Sequence, residues 1–334
     1  MIRPQLVFIF PLRRCGSNFL RLHLDLHPSI YAPYPIHIHE FMHLLPNYGN
    51  LDDDHNYFRL ICDVIGFQNT TLLRWTHISF DPLTLFNNLE SQPRSIHRIV
   101  GEMYLQAAEK CGAKVVIDKS QDSIFYANDI LKQYPDALII DLVRDPRAQI
   151  NSMNKAIIHD FDTLLNLNTW LERRELMERL AKKIPQNVLC VKYEDFILDT
   201  RNVLQTICKF LKVQYKENMI DIQNSKEAFT MSSISSLWKN NCYPPLQTNI
   251  NKFSTQMSVQ EIQMIEWKSQ NYIQKFGYQF YYPLKEILIC DSLIQSSNEQ
   301  NKILLANLPA KIKEDNIKDY TIRNCRRKYL DSLK

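Results

Sequence analysis

Apolar and polar positions follow one another along this chain in two rhythms. Four short continuous apolar runs, residues 5–10, 113–118, 137–143 and 188–191, have the length and β-branched content of strands buried on both faces. Between them, residues 99–111, 123–134, 146–157, 163–184 and 200–211 carry apolar side chains at helical spacing. Strand and helix therefore alternate, and the pattern predicts an α/β fold, a parallel β-sheet flanked by helices. In such sheets ligands collect beyond the carboxyl ends of the strands. Those ends are the loop 13–18, the turn Asp118-Lys119-Ser120 and the segment Arg144-Asp145-Pro146.

Outside this alternation, residues 28–96 are rich in His, Tyr, Phe and Trp and too long for a simple connection, so they are expected to form a lid or acceptor-site insertion. Ser258-Val259-Gln260-Glu261 is a capping box that opens a helix running to about Phe276. After Pro283 the chain turns polar, and residues 284–334 are expected to be a mostly helical appendage to a main domain of residues 1–283.

The 334 residues carry 40 Lys and Arg against 36 Asp and Glu, a net charge of +4 with the basic residues dispersed. Nucleic-acid and membrane-surface binding are not indicated, and any anion recognition must be local. Eight cysteines form no C-x-x-C pair, which points to a reducing compartment. No run approaches the ~20 apolar residues of a membrane span, and no signal core follows the N-terminus, so a soluble cytoplasmic protein is expected.

The loop Arg13-Arg14-Cys15-Gly16-Ser17-Asn18 joins the first apolar run to a helix beginning near Phe19. The first turn of a helix presents unpaired backbone N–H groups and the positive end of the peptide dipole, and both favour an anion. Gly16 lets the backbone close in, Ser17 and Asn18 add donors, and Arg14 adds a bidentate cation. With only six glycines, the chain has neither a G-x-G-x-x-G turn nor a Gly-Lys-Ser/Thr loop, which excludes the standard dinucleotide and ATPase phosphate cradles. Taken alone, the loop also reads as a turn capped by Ser17 or Asn18 with no ligand. A second anion site is suggested by Arg144, just before a helix started by Asp145 and Pro146, with Ser152 two turns along it.

Together these segments resemble the sulfotransferase superfamily, whose donor is phosphoadenosine phosphosulfate (PAPS) and whose spent product is PAP. Arg14 to Phe19 resemble the loop that holds the phosphosulfate arm, with Cys15, Ser17 and Asn18 standing in for the usual Ser, Thr and Thr. Arg144 and Ser152 resemble the pair that binds the ribose phosphate, and Tyr193, in Val191-Lys192-Tyr193-Glu194-Asp195, resembles the tyrosine beside the nucleotide. Lys119 resembles the lysine supplied by a similar turn, and Lys252 falls where a late basic residue often meets the ribose phosphate. The resemblance implies a P-loop NTPase-like sulfotransferase fold. It also implies in-line sulfuryl transfer to a hydroxyl or amine, with Lys119 and Arg14 meeting charge on the departing phosphate and no metal required. Cys15 is then structural, contributing its backbone N–H.

A base to take the acceptor proton is expected in Tyr34-Pro35-Ile36-His37-Ile38-His39-Glu40, with His37 preferred because of its near-neutral pKa, then Glu40, then His39. Two other readings compete. His39-Glu40-Phe41-Met42-His43 is formally the H-E-x-x-H of zinc proteases, and the chain could instead bind PAPS or PAP without turnover. The acceptor stays open among small molecules, carbohydrates and protein tyrosines, and the oligomeric state is not legible.

Overall fold

In the computed structural model, which describes residues 3–10, 12–244 and 246–334, the apolar runs assemble into one five-stranded, all-parallel sheet. Its strands are β1 (Gln5–Ile9), β2 (Ile30–Tyr31), β3 (Val115–Asp118), β4 (Leu138–Val143) and β5 (Val188–Lys192), in the spatial order β2-β3-β1-β4-β5. The register is set by Val7 facing Ile117 on one side and Leu138 on the other. β1, β3 and β4 are almost wholly buried, as the continuous apolar runs require. Strand β2 is two residues long, and no periodicity could have revealed it.

Helices cover both faces. In chain order they are α1 (Ser17–Asp25), α2 (Asp54–Gln68), α3 (Pro82–Leu89), α4 (Ile96–Lys110), α5 (Ala127–Gln133), α6 (Pro146–Met153), α7 (Thr163–Lys183), α8 (Tyr193–Leu198), α9 (Thr200–Phe210), α10 (Lys226–Ile234), α11 (Phe253–Gln256), α12 (Val259–Lys275), α13 (Asp291–Asp315) and α14 (Ile317–Ser332). Their starts follow from local chemistry. Asp145 caps α6 by accepting from the Arg147 amide with Pro146 in the first turn, and Ser258 and Glu261 form the reciprocal capping box of α12.

Residues 28–96, read from sequence as a lid or acceptor-site insertion, enter the core. They supply β2, helices α2 and α3, and Ile36, Ile38, Phe41, Tyr57, Leu60 and Ile61, all buried in the hydrophobic cluster on one face of the sheet. Their aromatic content is core packing, and each such side chain contributes about 1.5–3 kcal/mol through burial.

The region after residue 283 is helical, a hairpin of α13 and α14. It is docked by Arg326, which donates to Glu40, Ile36, Phe67 and Thr70, and at three further places. The Asn301 side chain donates to the Asp160 carboxylate and accepts from the Phe161 amide, Asp319 accepts from the Ser235 hydroxyl, and the Tyr329 hydroxyl donates to the Asp63 carbonyl. Gly66 makes room for the last contact, since a Cβ there would lie 2.0 Å from the Tyr329 oxygen. No helix among the described residues is long and apolar enough to cross a membrane.

Candidate active site

Four strand ends, those of β1, β3, β4 and β5, converge on one cavity of about 550 Å3. It is lined by Arg14, Gly16, Ser17, Asn18 and Phe19 from the first loop, Lys119 and Gln121 from the second, Arg144 and Ser152 from the third, and Tyr193 from the fourth. Two pockets expected from the sequence are thus one space. Among the described residues three of those lining it are cationic, and none is a carboxylate.

The first loop is shaped by two left-handed residues, Arg14 at φ 65° and Gly16 at φ 94°. At Gly16 the requirement is double, because a Cβ would also meet the Tyr193 ring at 2.4 Å. The first intrahelical bond of α1 runs from the Leu20 amide to the Gly16 carbonyl, 3.0 Å, so the amides of Ser17, Asn18 and Phe19 precede the ladder and stand at the cavity. Gly16 itself caps the helix, and neither Ser17 nor Asn18 does. Cys15 is wholly buried and packs in the second hydrophobic cluster, where burial pushes its thiol pKa up. The Asn18 amide is turned inward, its oxygen accepting from Arg21 Nε at 3.1 Å.

Arg14 donates from Nε to Ser152 Oγ at 3.1 Å, while Arg144 donates to the Arg14 carbonyl at 2.9 Å and stacks 4.6 Å above the Tyr193 ring. Serine and the two arginines are therefore one cluster, with Ser152 bound to Arg14 instead of clamping with Arg144. Burial, and then the neighbouring Arg144, pull the Arg14 pKa down to about 10. Arg144 Nε is buried without a hydrogen-bond partner. Two guanidinium groups held side by side with a donor unspent form a site for a multiply charged anion. The phosphates of PAPS suit that donor set.

The second strand end is braced from below. Asp118 accepts from the Tyr104 hydroxyl at 2.9 Å and from the Ser120 amide at 2.7 Å, and this turns Lys119 toward the cavity. Lys119 is buried, and desolvation followed by the charge of Arg21 pulls its pKa down to about 7. The same turn holds His37. Its backbone N–H donates to Ser120 Oγ at 3.1 Å, and the Gln121 amide donates to His37 Nδ1 at 3.2 Å. Burial, followed by the charge of Lys119, keeps the ring well below the usual imidazole pKa, hence neutral. A neutral ring accepting at Nδ1 carries its proton on Nε2. His37 thus offers a donor, whereas the sequence reading expected a base.

His37 lines a second cavity and not the first, as does Glu40, which is engaged by Arg326 Nε of α14 at 2.7 Å. His39 lies 3.7 Å from Asp122. Lys252 is exposed at the start of α11 and does not line the cavity. The H-E-x-x-H segment folds as two 3-10 turns, Ile38–Glu40 and Met42–Tyr48, broken at Phe41, so its imidazoles do not share an α-helical face. Among the described residues no group of three or more His, Cys, Asp or Glu could hold a metal ion. Arg14, which lines the cavity, and His37, which lines the second one, are two of the four non-glycine residues with positive φ among those described.

One wall was not foreseen. Leu237, Trp238, Asn240, Asn241, Tyr243 and Leu246 close the cavity from the irregular segment after α10. Its Trp, Tyr and paired Asn side chains are suited to a purine, the only sequence signal it carried.

A family model described as "Sulfotransferase family" matches residues 4–217. Among solved structures, the sulfotransferase domain from the Synechococcus PCC 7002 olefin synthase is 20% identical, with a TM-score of 0.54 over 85% of this chain and 98% of that one. The sulfotransferase domain from the curacin biosynthetic pathway is 19% identical, with a TM-score of 0.51 over 84% of this chain and 100% of that one. These two likenesses show the fold. No curated protein matches the chain.

Proposed function

The chain belongs to the sulfotransferase family, and from that premise we propose that it moves a sulfuryl group from PAPS to a hydroxyl or amine of a small-molecule, carbohydrate or protein-tyrosine acceptor. The observation that carries the reading is the single cavity in which three cations, three helix-start amides and Tyr193 meet without a carboxylate. The donor supplies an activated sulfuryl group on a phosphate leaving group.

The amides of Ser17, Asn18 and Phe19 and the side chain of Arg14 hold the phosphosulfate arm, and Arg144 holds the ribose phosphate, with Ser152 fixing Arg14 beside it. Tyr193, Trp238 and Tyr243 supply aromatic surface for the nucleoside. Lys119 and Arg14 meet the negative charge that builds on the departing phosphate, which is a role a metal would otherwise fill. The Nε2–H of His37 holds the acceptor oxygen in line, and orientation of this kind accounts for much of the rate gain in group transfer. As the acceptor oxygen forms its bond to sulfur, the sulfur–oxygen bond to the phosphate breaks, PAP leaves, and the acceptor proton passes to water. In this reading residues 1–283 form the transferase domain, and the protein works in the cytoplasm.

The test is transfer of labelled sulfate from PAPS to a panel of acceptor classes, run beside PAP binding by thermal shift. Label in an acceptor supports the reading. Stabilisation by PAP with no labelled acceptor would make the chain a non-catalytic nucleotide binder, and absence of both would remove the assignment.

A further inference from the structure

A second cavity, of about 450 Å3, lies behind His37. Its floor is Tyr34, His37 and Glu40, one side is Thr70, Thr71 and Leu72, and the facing wall is helix α14 with Arg323, Arg326 and Arg327. Its lining touches that of the first cavity. The Tyr34 ring stands edge-on to His37 at 5.6 Å and to Trp238 at 6.0 Å, and Trp238 lines the first cavity. Gln121 also lines the first cavity, and its amide is bound to His37 Nδ1. With Nδ1 and the backbone N–H of His37 both engaged, the Nε2 edge is the one left for a ligand.

The charge in this cavity is unbalanced. Glu40 is its one carboxylate, and Arg326 is spent on it together with the carbonyls of Ile36 and Phe67 and the hydroxyl of Thr70. Arg323 uses only Nε, on Asp319 at 2.7 Å, and Arg327 uses one nitrogen on Asn324 at 2.7 Å. Among the described residues the remaining guanidinium donors of Arg323 and Arg327 have no protein partner, and neither does the Tyr34 hydroxyl. Burial pushes that hydroxyl's pKa up to about 12 against the opposing charge of Arg323 and Arg326.

We propose that this cavity receives the acceptor, and that the acceptor carries an anionic group, a carboxylate, phosphate or sulfate, bound by Arg323 and Arg327 while its nucleophilic oxygen meets His37. The inference rests on the transferase reading above and adds the charge class of the substrate. It gives α14 a positioning role, because the helix supplies the arginines and Tyr329 and Asp319 hold it in place.

The experiment incubates the protein and 35S-labelled PAPS with a small-molecule extract of the cells that make it, and separates labelled products by anion exchange. The expected product elutes with at least two negative charges, the new sulfate and the original anion. Purified acceptor then shows a KM raised about ten- to a hundredfold in Arg323→Gln and in Arg327→Ala, the range for losing a hydrogen bond to a charged group. PAP affinity stays within twofold, which also reports that each variant is folded. A product with a single charge, or a KM within twofold of wild type in both variants, overturns the proposal. No labelled product at all, with PAP binding intact, overturns the transferase premise and the proposal with it.

Discussion

Replacing Arg144 with alanine tests how the cavity discriminates between nucleotides. Arg144 is 9% exposed, has one buried nitrogen without a partner, and sits beside Arg14 where no carboxylate among the described residues lines the cavity. Hydrogen bonds to charged groups contribute roughly 1.5–3 kcal/mol. Loss of Arg144 also relieves its repulsion with Arg14, which offsets part of that. The expected loss for PAP therefore falls in the lower part of that range, ~1.5–2 kcal/mol, or about 10- to 30-fold in Kd. Calorimetric titration with PAP and with adenosine 5′-phosphate, which lacks the ribose phosphate, separates a specific contact from a general one. Wild type should prefer PAP strongly, and Arg144→Ala should lose most of that preference while binding adenosine 5′-phosphate nearly as before. An equal loss for both ligands, or none, would refute the placement of the ribose phosphate at Arg144. Thermal unfolding of the free variant guards against a trivial cause, since the change also removes the bond to the Arg14 carbonyl and the stack on Tyr193.

Lys119 titrates near 7 in the free protein, and a bound polyanion raises that value, so PAP affinity should be greatest below pH 7 and fall by up to tenfold per pH unit above it. Calorimetry in buffers of different ionisation enthalpy should find close to one more proton taken up at pH 8 by wild type than by Lys119→Met; equal uptake would contradict the assignment. His37→Ala should lower kcat about a hundredfold with PAP affinity unchanged, and His37→Gln, which keeps a donor, should recover part of the loss; a glutamine as inactive as alanine would restore the base role. Gly16→Ala should destabilise the protein by about 2 kcal/mol or more and abolish PAP binding, because φ is 94° and the new methyl meets Tyr193. A normal Tm in that variant would show that the loop can relax.

Much of the framework was legible because it rests on local rules. Continuous apolar runs mark strands buried on both faces, and the segments that follow them came together at one cavity, among them Arg14, Lys119, Arg144 and Tyr193. What stayed hidden depends on contacts distant in sequence. The tautomer of His37 is set by an amide 84 residues away, and Glu40 is engaged by an arginine 286 residues away. Lys252 was placed by order along the chain, but it lies in an irregular stretch whose path no periodicity constrains, and its side chain is exposed. The aromatic and asparagine wall at 237–246 went unread for the same reason. In residues 28–96 aromatic richness looks alike in a binding surface and in a core: Phe41, Tyr57 and Phe67 are packed in the core, whereas Tyr34, His37 and Glu40 line the second cavity.

The ring of Tyr193 resting on Gly16 ties together two chain positions that local structure would leave independent. Among homologues the pair should co-vary: a larger residue at the first position is tolerated only where the aromatic at the second has shrunk or withdrawn, and even then the left-handed backbone at φ 94° must be given up. Diversification of the nucleotide pocket is thereby channelled toward the far wall, where the exposed Tyr243 can be exchanged without such a partner.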